Sequence, residues 1–338
     1  MGKTALITGI SGQDGAYLSQ LLLEKGYRVI GGDRRTSRGS LWRLEELKIR
    51  NDIELINFEL SEFTNIINTI ERYDFDEVYN LAAQSFVAAS FELPIMTADI
   101  TALGVGRILE AIKTVNPKIR FYQASSSEMF GKAKQTPQNE ETPFYPRSPY
   151  GVSKCFGHWI TVNYRESYNL YALSGILFNH ESPLRGEEFV TRKITSNLAK
   201  MKSGQRKELI LGNIDAKRDW GFAGDYVKGM HLMMTQKKPM DFVLATGETR
   251  TVRDFINAAA PHFGFKIEWQ GEGVNEVGID IKSKKSIIKI SEKYYRPAEV
   301  DLLIGDPTKA KIELDWSPDT SFESLVQLMS ESDIRRFS

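Results

Sequence analysis

The chain has 338 residues, 41% hydrophobic and 26% charged, and its 44 Lys and Arg balance 44 Asp and Glu. A formal net charge of zero argues against nucleic-acid and anionic-membrane partners, and the composition is globular, with room for one large domain or two modest ones. The single cysteine, Cys155, excludes an intrachain disulfide framework and points to a reducing, cytoplasmic setting. Beside Lys154 on a predicted helix it reads as a small packing residue. A first strand starting at Lys3 leaves no room for a signal peptide, and no apolar run approaches membrane-spanning length. His158, His180, His231 and His262 lack ligand spacing, so no metal site is expected.

Residues 4–7 form the first predicted strand, and residues 16–25, capped by Gly26, the first helix. Between them Thr8-Gly9-Ile10-Ser11-Gly12-Gln13-Asp14-Gly15 carries glycines spaced G-x-x-G-x-x-G. Such a turn lets the backbone approach a pyrophosphate while the helix N-terminus supplies amide donors and a favourable dipole. Three glycines alone would suit any tight turn, but strand, turn and helix in register predict a dinucleotide site. The second strand, 27–30, leads to Asp33, an acid that can accept from a ribose diol and so favours NAD. Arg34 and Arg35, with Thr36 and Ser37, could instead hold a 2′-phosphate, or simply be solvated surface. The reading leans to NADP and keeps NAD open.

Further strands are expected at 54–58, 78–81, 119–123 and 172–178, with helical patterns between them, one at 103–114 stopping before Pro117. Strand alternating with helix implies an α/β fold with a doubly wound parallel Rossmann sheet. Beyond the fifth strand, Ser126 and Glu128 occupy alternate positions, which in an extended segment share one side. Tyr150-Gly151-Val152-Ser153-Lys154 then places a phenol and an ammonium four apart on one helix face. A free tyrosine titrates near 10, roughly 3 units too high for a base at neutral pH, a gap of about 4 kcal/mol that a lysine and a nicotinamide cation could jointly supply. An incidental surface pair is the competing reading. Serine, tyrosine and lysine suffice for alcohol oxidation, so Glu128 raises the prospect of a second step. A carboxylate can remove the proton next to a new carbonyl, which makes loss of water from the following carbon feasible. Its alternative is a helix-start carboxylate near free amides.

After about residue 180 the rhythm changes. Helices at 192–202, 251–263 and 321–330 mix with short strands, and 271–285 is polar and glycine-rich enough to suggest a mobile loop. The expected division is a Rossmann domain of residues 1–178 plus about 219–245, and a smaller, partly discontinuous C-terminal α/β substrate domain of about 179–218 plus 246–338.

Several stretches carry a resemblance: Thr8-Gly9-Ile10 with Gln13-Asp14-Gly15, Asn80-Leu81-Ala82-Ala83-Gln84-Ser85, Phe144-Tyr145-Pro146-Arg147-Ser148-Pro149-Tyr150-Gly151, Phe178-Asn179-His180-Glu181-Ser182-Pro183, Asp215-Ala216-Lys217-Arg218-Asp219-Trp220-Gly221 and Tyr295-Arg296-Pro297-Ala298-Glu299-Val300-Asp301. Together they resemble the extended short-chain dehydrogenase/reductase family, in its GDP-mannose 4,6-dehydratase branch, over nearly the full length. The resemblance implies a bound, recycled NADP and a GDP-sugar substrate. Tyr150 would take the C4 hydroxyl proton, Lys154 would bind the nicotinamide ribose and polarise Tyr150, and Ser126 would hold O4. Glu128 would abstract the C5 proton and assist loss of the C6 hydroxyl, giving a 4-keto-6-deoxy sugar.

Cofactor contacts are implied for Gly9, Gly12, Gln13, Asp14, Gly15, Asp33, Arg34, Arg35, Glu59, Leu60, Leu81, Ala82, Ala83, Tyr150, Lys154, Asn179, His180 and Arg185, with a satisfied core histidine as the alternative for His180. Substrate contacts are implied for Ser85, Ser126, Glu128, Asn179, Lys193, Arg218, Arg296 and Glu299, and a homodimer or homotetramer for the assembly. Ser126 replaces the family's usual threonine and keeps the hydroxyl. Asp33 stands where an apolar residue is usual, Leu184 where an arginine is expected before Arg185-Gly186, and Phe86 where histidine is usual. The changes near the sugar admit a GDP-manno-heptose as an alternative substrate. An epimerase or reductase on the same scaffold, and a non-catalytic dinucleotide-binding protein, are the remaining alternatives.

Overall fold

The computed structural model describes residues 2–35, 41–294 and 302–338, so Thr36, Ser37, Arg296 and Glu299 lie outside the described residues. Six strands, β1 (Thr4–Thr8), β2 (Arg28–Asp33), β3 (Glu54–Asn57), β4 (Glu77–Asn80), β5 (Arg120–Ser126) and β6 (Ala172–Leu177), join Phe242–Leu244 in one sheet. The order is Phe242–Leu244, β6, β5, β4, β1, β2, β3, and every pairing is parallel. The strand order reverses between β1 and β4, which makes the carboxyl ends of those strands the natural ligand crevice.

The central strands read as continuous apolar runs because helices cover both faces. Helices Gln13–Glu24 and Ala223–Thr235 bury Leu18, Leu22, Met230 and Met233 against one face. Phe63–Arg72 and Gly104–Val115 bury Ile66, Ile70, Ile108 and Ile112 on the other. Each such side chain contributes about 1.5–3 kcal/mol of transfer free energy. The seventh strand, Phe242–Leu244, was not among the expected strands; three residues are too few for a pattern.

A second sheet runs Ile267–Gln270, Val277–Asp280, Lys285–Ile290, Leu209–Leu211, the first two pairings antiparallel and the last parallel. It packs a separate core with helices Val190–Lys202, Val252–Ala259 and Phe322–Phe337, built on Ile194, Leu198, Phe255, Ile288, Leu325 and Met329. The segment 271–285 is therefore not the mobile loop its composition suggested. It contributes an ordered strand, and the buried Asp280 carboxylate fixes the following turn by accepting the Ser283 N–H at 2.9 Å and the Ser283 hydroxyl at 2.7 Å. Glycines at 271 and 273, both at positive φ, masked the alternation around them.

Candidate active site

The glycine turn leaves β1 at the sheet's carboxyl edge. Gly9 has φ +69°, and a Cβ there would stand 2.9 Å from the Ala82 backbone. A Cβ on Gly15 would stand 2.5 Å from the Gly9 carbonyl oxygen, so only glycine lets the helix start this close to the turn. Gly12 caps helix Gln13–Glu24 with no side-chain hydrogen bond, which leaves the first-turn amides to an external anion.

The chemical groups come from two neighbouring elements. Ser126 ends β5, and its Oγ accepts the Glu128 N–H at 3.2 Å, starting the short 3-10 turn Ser127–Met129. Glu128 thus sits in a turn and not in the extended segment that strict alternation assumed, because the serine hydroxyl caps the chain there. Both side chains still face one cleft of about 840 Å³. Helix Pro149–Tyr168 begins at Ser148, whose Oγ accepts the Gly151 N–H at 3.0 Å. That start puts Tyr150 in the first turn and Lys154 one turn later, with Lys154 Nζ 5.7 Å from the Tyr150 ring centroid. Lys154 Nζ donates to the Ala124 carbonyl at 2.6 Å.

Burial acts on both groups in the direction that disfavours charge. It pushes the Tyr150 phenol up to about 12; a hydrogen bond with Ser126 works against that rise, and the Glu128 charge adds to it. It pushes the Lys154 ammonium down to about 8.

Asp14 and His180 form a part-buried pair at 2.9 Å beside the glycine turn. His180 Nδ1 faces the Phe178 carbonyl at 2.7 Å, so both ring nitrogens meet acceptors, an arrangement that favours the imidazolium form. The carboxylate raises the His180 pKa against the burial that lowers it, and the imidazolium holds Asp14 below its usual value. The ring stacks on Tyr226 with centroids 4.6 Å apart. His180 lines the cleft, yet its nitrogens are spent on protein, closer to the satisfied histidine than to a cofactor ligand. Gln13 is used likewise, donating to the His180 carbonyl at 2.8 Å and accepting the Ser182 hydroxyl at 2.8 Å.

The cleft also collects Gly9, Gly12, Gly15, Leu81, Ala83, Ser85, Asn179, Arg185, Lys193 and Arg218. The Arg185 guanidinium lies 3.5 Å from the Phe189 ring centroid and its Nε 3.1 Å from the Glu181 carboxylate. Lys193 Nζ lies 3.9 Å from the Tyr294 ring centroid, and burial lowers its pKa. Arg218 is buried and donates to the Lys217 carbonyl at 2.8 Å. Asp33, Arg34, Arg35, Glu59, Leu60 and Ala82 are not among the cleft's lining residues. One Asp33 oxygen accepts the Arg34 N–H at 2.9 Å, and the Leu60 side chain belongs to the core. Leu184, where an arginine was expected, is buried in the core. Phe86 lines the cleft edge-on to Phe189, centroids 6.1 Å apart.

Arg43 and Tyr294 line the cleft without having been singled out from sequence. Arg43 donates to the Ser11 carbonyl at 2.9 Å and the Leu184 carbonyl at 2.6 Å, tying the glycine turn to the 182–185 segment. No spacing or motif marks it. Among the described residues no group of His, Cys, Asp or Glu could hold a metal ion, and no helix is long and apolar enough to cross a membrane.

A doubly wound parallel sheet with a glycine turn at its switch point and a Y-x-x-x-K helix beside β5 places the chain among the short-chain dehydrogenases/reductases. The model of the GDP-mannose 4,6 dehydratase family matches residues 6–329. The chain is 50% identical to a GDP-mannose 4,6-dehydratase of Sinorhizobium fredii over 339 residues, covering 98% of this chain and 97% of that one. It is 49% identical to the Homo sapiens GDP-mannose 4,6 dehydratase over 345 residues, covering 99% and 93%. A dTDP-glucose 4,6-dehydratase from Bacillus anthracis, solved in complex with NAD, shares the fold with a TM-score of 0.81 at 21% identity, covering 98% of this chain and 96% of that one. The chain belongs to the GDP-mannose 4,6-dehydratase family.

Proposed function

We propose that this chain is a nucleotide-sugar 4,6-dehydratase that converts a GDP-manno-sugar to the GDP-4-keto-6-deoxy sugar with NADP as its recycled cofactor. The observation that carries the reading is Glu128, a mostly buried carboxylate in the same cleft as Ser126, Tyr150 and Lys154. Oxidation alone needs no such acid; elimination does.

The uncapped helix start and the close approach at Gly9 and Gly15 suit a dinucleotide pyrophosphate, with Lys154 near the nicotinamide ribose. The exposed Arg34 and Arg35 favour NADP, their charge answering a 2′-phosphate. When bound, the dinucleotide supplies the acceptor for the C4 hydride and its return to C6. Ser126 holds O4 while Tyr150 takes the hydroxyl proton, its phenolate stabilised by the Lys154 ammonium. Glu128 then removes the C5 proton, made acidic by the new carbonyl, and hands a proton to the departing C6 hydroxyl, so water leaves without an external acid. Arg218, Lys193 and Asn179 bind the nucleotide diphosphate and sugar.

Residues 1–178 with about 219–245 act as the cofactor domain, and about 179–218 with 246–338 as the substrate domain. We also assign a cytoplasmic homo-oligomer. Val152, Phe156 and Trp159 are 56%, 42% and 57% exposed at helical spacing on one face, an apolar stripe suited to a second copy.

The test is a panel of GDP- and other NDP-sugars, GDP-mannose and GDP-manno-heptose included, with purified protein. The expected result is a 4-keto product lighter by one water, formed without net NADPH consumption, and NADP(H) released on denaturation. Stoichiometric cofactor turnover without water loss would make the chain a reductase, and release of NAD(H) alone would reverse the cofactor choice.

A further inference from the structure

Three buried polar side chains behind the cleft have no part in the mechanism above: Thr8, Asn80 and Gln123, each 1% exposed. Thr8 and Asn80 end β1 and β4, Gln123 lies midway along β5, and they are direct partners in register, Thr8 with Asn80 across β1–β4 and Asn80 with Gln123 across β4–β5. The Thr8 hydroxyl accepts the Ala82 N–H at 3.2 Å and donates to Asn80 Oδ1 at 2.7 Å. Asn80 Nδ2 donates to Gln123 Oε1 at 2.8 Å, and Gln123 Nε2 donates to the Ala124 carbonyl at 3.0 Å. That same carbonyl oxygen receives Lys154 Nζ at 2.6 Å. The links from the Ala82 N–H through Thr8, Asn80 and Gln123 all run donor to acceptor in one sense and end at the Ala124 carbonyl oxygen, where the Lys154 ammonium donates from the other side.

We infer that Gln123 is a positioning residue for Lys154, and that the Thr8–Asn80–Gln123 chain sets the lysine's place relative to the glycine turn. Three buried amide and hydroxyl groups cost free energy unless fully paired, and an apolar trio would fill a sheet interior without that cost. The chain uses its terminal donor to fix one lone pair of the Ala124 carbonyl. The other lone pair is left in a set direction, and it is the only hydrogen-bond acceptor that holds Lys154 Nζ among the described residues. Because Thr8 immediately precedes Gly9, the turn expected to hold the cofactor and the ammonium expected to act on Tyr150 share one rigid reference. The inference rests on the reading of Lys154 as the partner of the Tyr150 phenol.

Gln123→Glu tests it with little change of shape. The variant still accepts from Asn80 Nδ2, loses the N–H to Ala124, and places a carboxylate beside the ammonium. Part of the positive field on the phenol is cancelled, so the phenolate is less favoured and the acidic limb of kcat/KM for GDP-mannose should move to higher pH by about one unit or more. Gln123→Met removes the donor without adding charge, and kcat should fall about tenfold with KM for GDP-mannose unchanged. Lys154→Met serves as the control on the underlying reading and should lose turnover. If Lys154→Met is inactive while Gln123→Glu keeps the wild-type pH limb, the positioning role is overturned, whatever Gln123→Met does. If Lys154→Met turns over normally, it is the reading of Lys154 that fails. A structural role alone would lower the melting temperature of the Gln123 variants without moving the limb.

Discussion

Replacing Glu128 by Gln separates the two chemical steps. The backbone N–H of Glu128, not its carboxylate, makes the 3.2 Å hydrogen bond to Ser126 Oγ, so the 3-10 turn should persist in the variant. The amide is nearly isosteric and cannot take the C5 proton, so overall turnover should fall by about 10²–10⁴-fold, the range for loss of a general base. The carboxylate also acts on Tyr150, whose phenol it pushes further up. Its removal should lower the phenol's pKa, leaving C4 oxidation intact or faster. The variant should therefore accumulate reduced cofactor, visible in stopped flow by the near-ultraviolet absorbance of the reduced nicotinamide. Solvent deuterium should cease to enter C5 by mass spectrometry. Normal turnover with normal C5 exchange would refute the reasoning and reduce Glu128 to a carboxylate at a turn.

Arg218→Ala should raise KM for the GDP-sugar about 10- to 100-fold, the range for one charge-assisted contact, and an unchanged KM in steady-state kinetics removes it from the diphosphate site. Asp14→Asn strips the His180 imidazolium of its counter-ion and should cost about 3 kcal/mol, read as a lower thermal midpoint. The His180 pKa is raised from 6.5, so its contribution is complete below about pH 6.5 and fades as pH rises through the folded value; the Asp14 pKa is lowered from 3.8, so its contribution is present above about pH 4 and is lost on acidification through the folded value. The deficit of Asp14→Asn should therefore be largest between about pH 4 and 6.5 and shrink as pH rises through the raised His180 value; a deficit independent of pH would deny the ion pair. Trp159→Glu on the exposed stripe should shift the assembly towards monomer in sedimentation velocity, and an unchanged species would place the subunit contact elsewhere.

The six strands from Thr4 to Leu177 were legible because each carries a short apolar run, largely buried in all but the edge strand β3, and pairing moves their ends by a residue or three. The convergence of Ser126, Glu128, Tyr150 and Lys154 was legible for a related reason. Parallel strands deliver their carboxyl ends to one edge, and a four-residue spacing fixes two side chains on one helix face. Arg43 was not legible, since its acceptors are carbonyls of Ser11 and Leu184, and backbone carbonyls leave no mark in composition. Nor was the link from Thr8 to Gln123, which exists only once β1, β4 and β5 lie side by side in register. The strand Val277–Asp280 was hidden by the polar, glycine-rich turns at its flanks.

The strand Phe242–Leu244 reaches the sheet long after β6 has left the ribosome, and among the described residues it is the only strand that pairs with β6 on that side. Until residue 244 is made, β6 is a rim: six residues, Ala172–Leu177, all buried in the finished fold, whose ladder partners along one flank are missing. Such a rim is a template for any other strand it meets. Cutting the gene after the sixth strand would therefore yield a sticky half-sheet in place of a tidy cofactor-binding fragment. An excised Rossmann unit would have to carry the later segment back to that flank, spliced in by a linker, before it could stay in solution on its own.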